Sequence, residues 1–351
     1  WGEIEWVDGM ERSEVAGRWY DNDVRKQDAN LFAKASWLPV KGLTLSADLQ
    51  YRIVSYRAWG VNDNFDWNRM QMQPIAIDKL YHFLNPHLGV NYAFARHHNI
   101  FASFAIANKE PTRADFTDRY MFAADQTEPK PERLYDYELG YQFKMPNLAL
   151  GANFYYMRYK DQLIPTGMVN DSSDALNVNV PLSYRAGVEL TAMWNVARWL
   201  TLGGNATFSR NKIIDYVDLL ADSPTYGENL GDMTIAYSPE AVASAFAEFK
   251  FKQFEAVLNA QHVGKQYFTN NQIEALSLDA YTVANLDLAY TLSTRNTKSV
   301  RIGVSIYNLL NNKYCSNGYG YSYMWDGERY DEAYYFPQAP LHVLANVTVK
   351  F

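Results

Sequence analysis

Cysteine is all but missing from this chain. Its 351 residues hold one, Cys315, so no disulfide can form within it. That thiol either stays free or pairs with a partner elsewhere. Long apolar runs are missing too. No stretch of about 18 apolar residues occurs, which leaves no candidate transmembrane helix. Positive charge is in deficit: 32 Lys and Arg against 39 Asp and Glu give a net charge of −7 and a pI near 5.4. Nucleic-acid binding needs a basic footprint and is disfavoured. There is no His-Glu-x-x-His, no Gly-x-Ser-x-Gly and no glycine-rich phosphate loop, so no enzyme activity, catalytic residue or cofactor is assigned. The start, Trp1-Gly-Glu-Ile-Glu5, has no basic stretch leading into an apolar core, as a signal peptide would. For an exported protein, that absence is the mark expected of a fragment.

Aromatic residues are abundant instead. Tyr 27, Phe 18 and Trp 9 make up 15% of the chain, and strands favour them. They sit within segments that alternate strictly. At the end of the chain, Leu341, Val343, Ala345, Val347, Val349 and Phe351 share one face, opposite His342, Asn346, Thr348 and Lys350. Leu43, Leu45, Ala47, Leu49, Tyr51 and Ile53 oppose Thr44, Ser46, Asp48, Gln50 and Arg52 in the same way. Tyr135, Tyr137, Leu139, Tyr141 and Phe143 oppose Asp136, Glu138, Gly140, Gln142 and Lys144. A mean hydropathy of −0.34 is compatible with membrane insertion in this pattern, because only every second residue would meet lipid.

Thirteen strands are expected, near 26–39, 43–53, 80–95, 99–108, 133–145, 148–160, 184–196, 199–212, 238–250, 253–266, 281–292, 299–309 and 341–351. Tight turns join them at Pro39–Gly42, Arg96–Asn99, Pro146–Asn147, Ala197–Arg198 and Lys252. Long connections fill 1–25, 54–79, 109–132, 161–183, 213–237, 267–280 and 310–340. Short turns on one side and long loops on the other are the asymmetry of an outer-membrane barrel, with the turns toward the periplasm. Aromatics gather at the strand ends as interfacial girdles would: Phe94, Phe143, Phe249 and Phe351 at one end, Tyr51, Tyr135, Tyr156 and Phe208 at the other. A soluble β-sandwich or β-helix also alternates, but here the apolar faces never lapse and no fixed repeat period appears. The fold class is therefore an all-β, transmembrane antiparallel β-barrel, with residues 1–351 as one barrel domain. Bacterial single-chain barrels use even strand numbers, so 13 points again to a missing N-terminal part.

Four stretches carry a family resemblance. Tyr307-Asn-Leu-Leu-Asn-Asn-Lys-Tyr314, Tyr335-Phe-Pro-Gln-Ala-Pro340 with the final Phe351, Lys109-Glu-Pro-Thr-Arg113, and Pro131-Glu-Arg-Leu134 leading to Glu138-Leu-Gly140 occur in an order that resembles the C-terminal half of TonB-dependent outer-membrane receptors. Leu310 departs conservatively from the Phe that many members carry there. The resemblance implies a barrel of about 22 strands around a plug, of which these would be the last 13. It further implies a Gram-negative outer-membrane location among lipid and lipopolysaccharide, and Phe351 as the signal read by the barrel-assembly machinery. Partners would be the receptor's own plug, the TonB–ExbB–ExbD complex and a small nutrient such as a ferric siderophore, haem or cobalamin. A passive porin without a plug is the alternative.

Candidate site residues follow from position. Asp48, Arg52, Asp136, Glu138, Arg185, Glu189, Glu248, Asp287 and Arg301 fall on the polar face, where they would line the lumen or hold a plug by charge-assisted hydrogen bonds. Connection 310–340 concentrates Tyr319, Tyr321, Tyr323, Trp325, Tyr330, Tyr334 and Tyr335, each with a stacking face and a polar tip suited to ligand binding. The competing reading is a loop packed on itself over the rim. Arg113 could meet an anionic ligand or pair within its own loop. His97-His98 has no further partner at ligand spacing, and Asp63 with Asp66 could join a calcium site or remain solvated acids. No resident metal is assigned.

Overall fold

The computed structural model of the protein describes residues 2–4, 17–66, 71–118, 128–169, 175–219, 225–293 and 298–351. In chain order the elements are β1 (Gly2–Ile4), β2 (Gly17–Val40), β3 (Leu43–Asp66), β4 (Gln71–Ala95), β5 (His98–Lys109), α1 (Arg113–Thr117), β6 (Glu132–Lys144), β7 (Leu148–Val169), β8 (Ala175–Ala197) and β9 (Leu200–Ile213). They continue with β10 (Met233–Thr234), β11 (Ala241–Phe251), β12 (Phe254–Val263), β13 (Gln266–Tyr267), β14 (Ser277–Leu278), β15 (Tyr281–Leu292), β16 (Ser299–Tyr307), β17 (Cys315–Trp325), β18 (Glu328–Pro337) and β19 (His342–Lys350). One antiparallel 15-stranded sheet runs from β1 through β2–β9, β11, β12, β15 and β16 to β19, with β10 added on β9. Among the described residues β1 and β19 form no ladder with each other, so the sheet is open between them. Its 13 long strands are those expected from the alternation. No helix among the described residues is long and apolar enough to cross a membrane.

Cross-strand register shows why the alternation matters. Trp37, Leu45, Val90, Ala102, Leu139, Phe154, Val188, Phe208 and Ala241 pair in one unbroken row across nine strands. A second row joins Leu148, Trp194, Leu202, Ala247, Leu258, Leu286, Ile306 and Val343. These rows form the outer face, and its large side chains are open: Phe154 is 58% exposed and Val347 65%. A continuous apolar face of this size is covered by lipid or another apolar phase, because water would not tolerate it. The inner face carries the row Lys34, Asp48, His87, Ala105, Asp136, Met157, Arg185 and Asn211.

Several expected connections are strand instead. β3 and β4 continue through most of 54–79, β7 and β8 through most of 161–183, and β2 starts at Gly17. A 24-residue strand such as β3 is about 80 Å long when extended, whereas about 10 residues cross a bilayer. More than half of β3 therefore lies beyond the apolar band. There the alternation reverses phase. After Ile53 the next outer positions of β3, Ser55 and Arg57, are polar, and Val54, Tyr56 and Ala58 are buried on the inner face with Ile75, Ile77 and Phe116. Outside, Arg57 pairs with Asp78 at 3.0 Å. Past the membrane the outside is water, so burying apolar groups requires turning them inward. A pattern search that demands one continuous apolar face stops at Ile53.

Two further small cores occupy the same long-connection end. Ile164, Val180, Ile213, Tyr216 and Ile235 form one, and Phe268, Leu276 and Leu278 the other. The described core of the protein thus sits above the band, while within the band the sheet is one layer thick.

Leu139→Arg should lower stability in lipid by about 2–4 kcal/mol, since it places a charge at the middle of the outer row. Glu138→Gln, one residue away on the inner face, should cost under about 0.5 kcal/mol. Equilibrium unfolding from lipid vesicles compares the two, and equal costs would contradict the assignment of faces.

Candidate functional site

Connection 310–340 is not an irregular loop but a hairpin, β17 paired with β18. Its register sets Tyr319 opposite Tyr334, Tyr321 opposite Glu332 and Tyr323 opposite Tyr330, all on one face. The rings stack in sequence: Tyr319 and Tyr334 at 5.0 Å, Tyr321 and Tyr334 at 6.1 Å, Tyr323 and Tyr330 at 5.5 Å between centroids. At the centre, Glu332 accepts hydrogen bonds from the hydroxyls of Tyr334 at 2.6 Å, Tyr323 at 2.7 Å and Tyr321 at 3.3 Å. Those bonds hold the Glu332 carboxyl below the usual carboxylate range, and the Glu332 carboxylate raises the phenols of Tyr323 and Tyr334 above theirs. Trp325 stands at the tip, 71% exposed.

The reverse side of the hairpin does the packing. A Cβ on Gly318 would lie 2.8 Å from the Phe268 ring, and one on Gly320 2.9 Å from both Phe268 and Leu276. Glycine at these two positions lets the hairpin lie flat on the Phe268, Leu276 and Leu278 core, beside Cys315 and Ala333. Tyr335 belongs to this side as well, since its hydroxyl donates to the Ser277 carbonyl at 3.0 Å. The loop beneath is anchored across the sheet: the Asn270 side chain donates to the Pro165 carbonyl of β7 at 2.6 Å. Self-packing therefore uses the glycine side, and the tyrosine side is left open.

The nine lumen candidates all fall on the inner face by register, with different partners. Arg301 pairs with Glu255 at 3.0 Å, Glu248 with Lys250 at 2.5 Å, and Asp48 with Lys34 at 3.4 Å and His87 at 3.2 Å. Asp287 accepts from the Ser305 hydroxyl, and Arg185 donates to the Ser238 hydroxyl at 3.2 Å. Asn153 reaches Glu189 at 3.5 Å. Asp136 and Glu138 have no cation at ion-pair distance among the described residues, and one Asp136 carboxylate oxygen is buried without a partner. The lower inner wall from β3 to β8 is thus acidic.

Arg52 belongs to a network that sequence reasoning missed. It donates to Asp28 at 2.6 Å and to Glu110 at 2.9 and 3.0 Å, and Lys26 pairs with Glu110 at 2.8 Å. Glu110 lies past the end of β5 within the Lys109–Arg113 motif. Burial opposes its ionisation, but hydrogen bonds from Lys26, its own backbone and Arg52 hold its carboxyl below the usual range. The motif itself was the available signal. Thr112 and Asp115 then form a reciprocal capping box that starts α1. Arg113 donates to the Asn62 side chain at 3.1 Å and has no carboxylate at ion-pair distance among the described residues.

Other candidates have structural partners. His97 contacts the Lys144 carbonyl at 2.8 Å and His98 the Tyr141 hydroxyl at 2.7 Å. The side chains of Asp63 and Asp66 lie outside the described residues, and among those described no group of His, Cys, Asp and Glu could hold a metal. In the Tyr307–Tyr314 motif, buried Asn308 donates to the carbonyls of Asn312 at 2.9 Å and Ala339 at 3.1 Å, tying the strand exit to the approach of β19. Tyr314 stacks on Tyr281 at 4.7 Å.

A sequence family described as TonB dependent receptor-like, beta-barrel matches residues 6–309. The pesticin receptor of Yersinia enterocolitica is 24% identical over 188 residues, which are 54% of this chain and 26% of that receptor. The structure is similar to the siderophore receptor PiuA from Acinetobacter baumannii, with a TM-score of 0.69 at 13% identity over 93% of this chain and 43% of PiuA. It is also similar to the ferric yersiniabactin uptake receptor FyuA from Yersinia pestis, with a TM-score of 0.65 at 17% identity over 94% of this chain and 46% of FyuA. The chain spans about a quarter of the curated relative's length and less than half of each solved one.

Two substitutions test the local electrostatics. Glu332→Gln should let Tyr323 and Tyr334 ionise closer to the ordinary phenol value of about 10, read as an earlier rise of tyrosinate absorbance; an unmoved titration would contradict the shared carboxylate. Glu110→Gln should cost about 2 kcal/mol near neutral pH. Because the folded carboxyl is held low, its contribution is complete above the unfolded value and fades as pH falls through the folded one. The stability of Glu110→Gln should therefore converge on that of the parent in acid.

Proposed function

The chain belongs to the TonB-dependent receptor family, within its β-barrel, and on that premise we propose that it forms part of a Gram-negative outer-membrane receptor that imports a scarce nutrient by energy-coupled transport. The sheet, open between β1 and β19, would be closed by further strands of the same receptor around a plug. The acidic inner wall would face that plug, and TonB–ExbB–ExbD would supply the energy. An iron chelate is the ligand class that the named relatives favour, since they include a siderophore receptor and a ferric yersiniabactin uptake receptor.

The observation that carries the reading is the division of the β17–β18 hairpin. One side packs through glycines and the other presents stacked tyrosines with Trp325 at the tip. Such rings offer stacking area and hydroxyls at low entropic cost, as ligand-contacting aromatics do. The ionised Glu332 at their centre disfavours a polyanionic chelate lying flat on this face.

Transport by cells making the complete receptor tests the proposal, with ferric siderophores, haem and cobalamin as radiolabelled probes. Accumulation of one of them should stop when TonB is deleted or the proton-motive force is collapsed. Uptake that persists would mean a passive pore. Replacing Tyr321, Tyr323 and Trp325 together with Ala should weaken binding of the transported probe at least about tenfold while the barrel stays folded.

A further inference from the structure

Some cations among the described residues are held by ion pairs. Lys26, Lys34, Arg52, Arg57, Lys79, Lys109, Lys250, Lys265, Arg301 and Arg329 each meet a carboxylate. Five others do not. Arg133 on β6, Arg158 and Lys160 on β7, and Arg210 and Lys212 on β8's neighbour β9 have no carboxylate at ion-pair distance among the described residues. Arg133 donates to the Asn108 side chain at 2.8 Å and Lys212 to the Thr234 hydroxyl at 2.9 Å, both neutral partners. In a chain of net charge −7 this concentration runs against the composition.

Register puts the five together on the outer face. Arg133 pairs with Lys160, Arg158 with Tyr135 and Tyr184, Tyr184 with Lys212, and Ala186 with Arg210. The row next toward the short-turn side is Phe104, Tyr137, Tyr156, Ala186 and Arg210, and the rings of Phe104, Tyr137, Tyr156 and Tyr184 follow one another at 4.9, 6.3 and 5.9 Å between centroids. Below that row stand Leu139, Phe154, Val188 and Phe208 of the lipid-type face. Arg133, Arg158, Lys160 and Arg210 are exposed and Lys212 is half-buried. Moving outward, the face therefore runs from apolar side chains to a band where tyrosines are interleaved with Arg158, Arg210 and Lys212, and then to Arg133 and Lys160, as apolar, aromatic and charged groups are graded at a membrane interface.

We propose that these five side chains bind the phosphate groups of a phosphorylated lipid headgroup in the outer leaflet. The strands involved are neighbours about 4.8 Å apart, so the cations span about 15 Å across the sheet. That is wide enough to hold two phosphates at once. Arginine forks and lysine ammonium groups both suit phosphate oxygens. Unpaired cations outside a bilayer would be held by water alone, whereas opposite a phosphate layer they need no carboxylate of the protein. The proposal rests on the membrane orientation given above, with the long connections outward.

The test uses the complete receptor in phosphatidylcholine nanodiscs, with or without bisphosphorylated lipid A, and measures the acylation rates of Lys160 and Lys212 by mass spectrometry. Lys252, on a short turn, is the internal control. Lipid A should slow both lysines several-fold and leave Lys252 unchanged. Lipid A stripped of its phosphates should give no protection. In the variant carrying Arg158→Gln and Arg210→Gln, lipid A affinity should fall about fivefold for each cation removed. Equal protection by free pyrophosphate would overturn the lipid assignment, and equal rates in every nanodisc would overturn the site. Failure of the receptor to insert at all would instead overturn the membrane reading beneath it.

Discussion

Every backbone N–H and C=O within a hydrocarbon layer must find its partner inside the protein. Among the described residues the partner is the neighbouring strand, in an unbroken path from β1 to β19 that leaves only the two edges of the sheet unpaired. Most other features follow from that ladder. Because the sheet is one layer thick in the band, each residue has only two environments to choose from, and the choice alternates. Leu139 meets the apolar phase while Glu138 and Gly140 turn away from it. The same ladder carries the strands far past the band. The outside then becomes water, and the apolar side chains cross to the inner face at Val54.

The projecting hairpins stay ordered by means the band does not use. Buried clusters around Ile164, Ile75 and Phe268 give them small cores of conventional kind. Side-chain knots then fasten connections to strands: Glu110 between Lys26 and Arg52, Asn308 between two carbonyls, Asn270 on Pro165. The β17–β18 hairpin depends on one of these cores. Its glycines decide which side lies down on Phe268, and by doing so decide that the tyrosines face outward.

Charge is sorted by environment as well. On the inner face Lys26, Lys34, Arg52, Lys250 and Arg301 have carboxylate partners, because a charge in a partly enclosed space is costly when unpaired. The lower inner wall departs from this, with Asp136 and Glu138 lacking cations among the described residues. On the outer face above the tyrosines, the imbalance has the opposite sign.

The alternation of single residues was enough to show thirteen strands, their two faces and the short turns, since a period of two is a local property. Strand ends were legible only where the apolar face stopped. The extensions to Asp66, Val169 and back to Gly17 were hidden, because their burial depends on what packs inside them. Composition marked the tyrosine-rich stretch but could not show that it is a hairpin, that Tyr335 lies on its reverse side, or that Glu332 gathers three hydroxyls. Glu110 lay within a motif already singled out, yet its partners are 58 and 84 residues away. By itself the sequence determined which face of each strand meets lipid, because that is written in every second residue. Only the tertiary structure decided which side chains from distant strands share a charge, because register and long-range contact place them together and no local period records it.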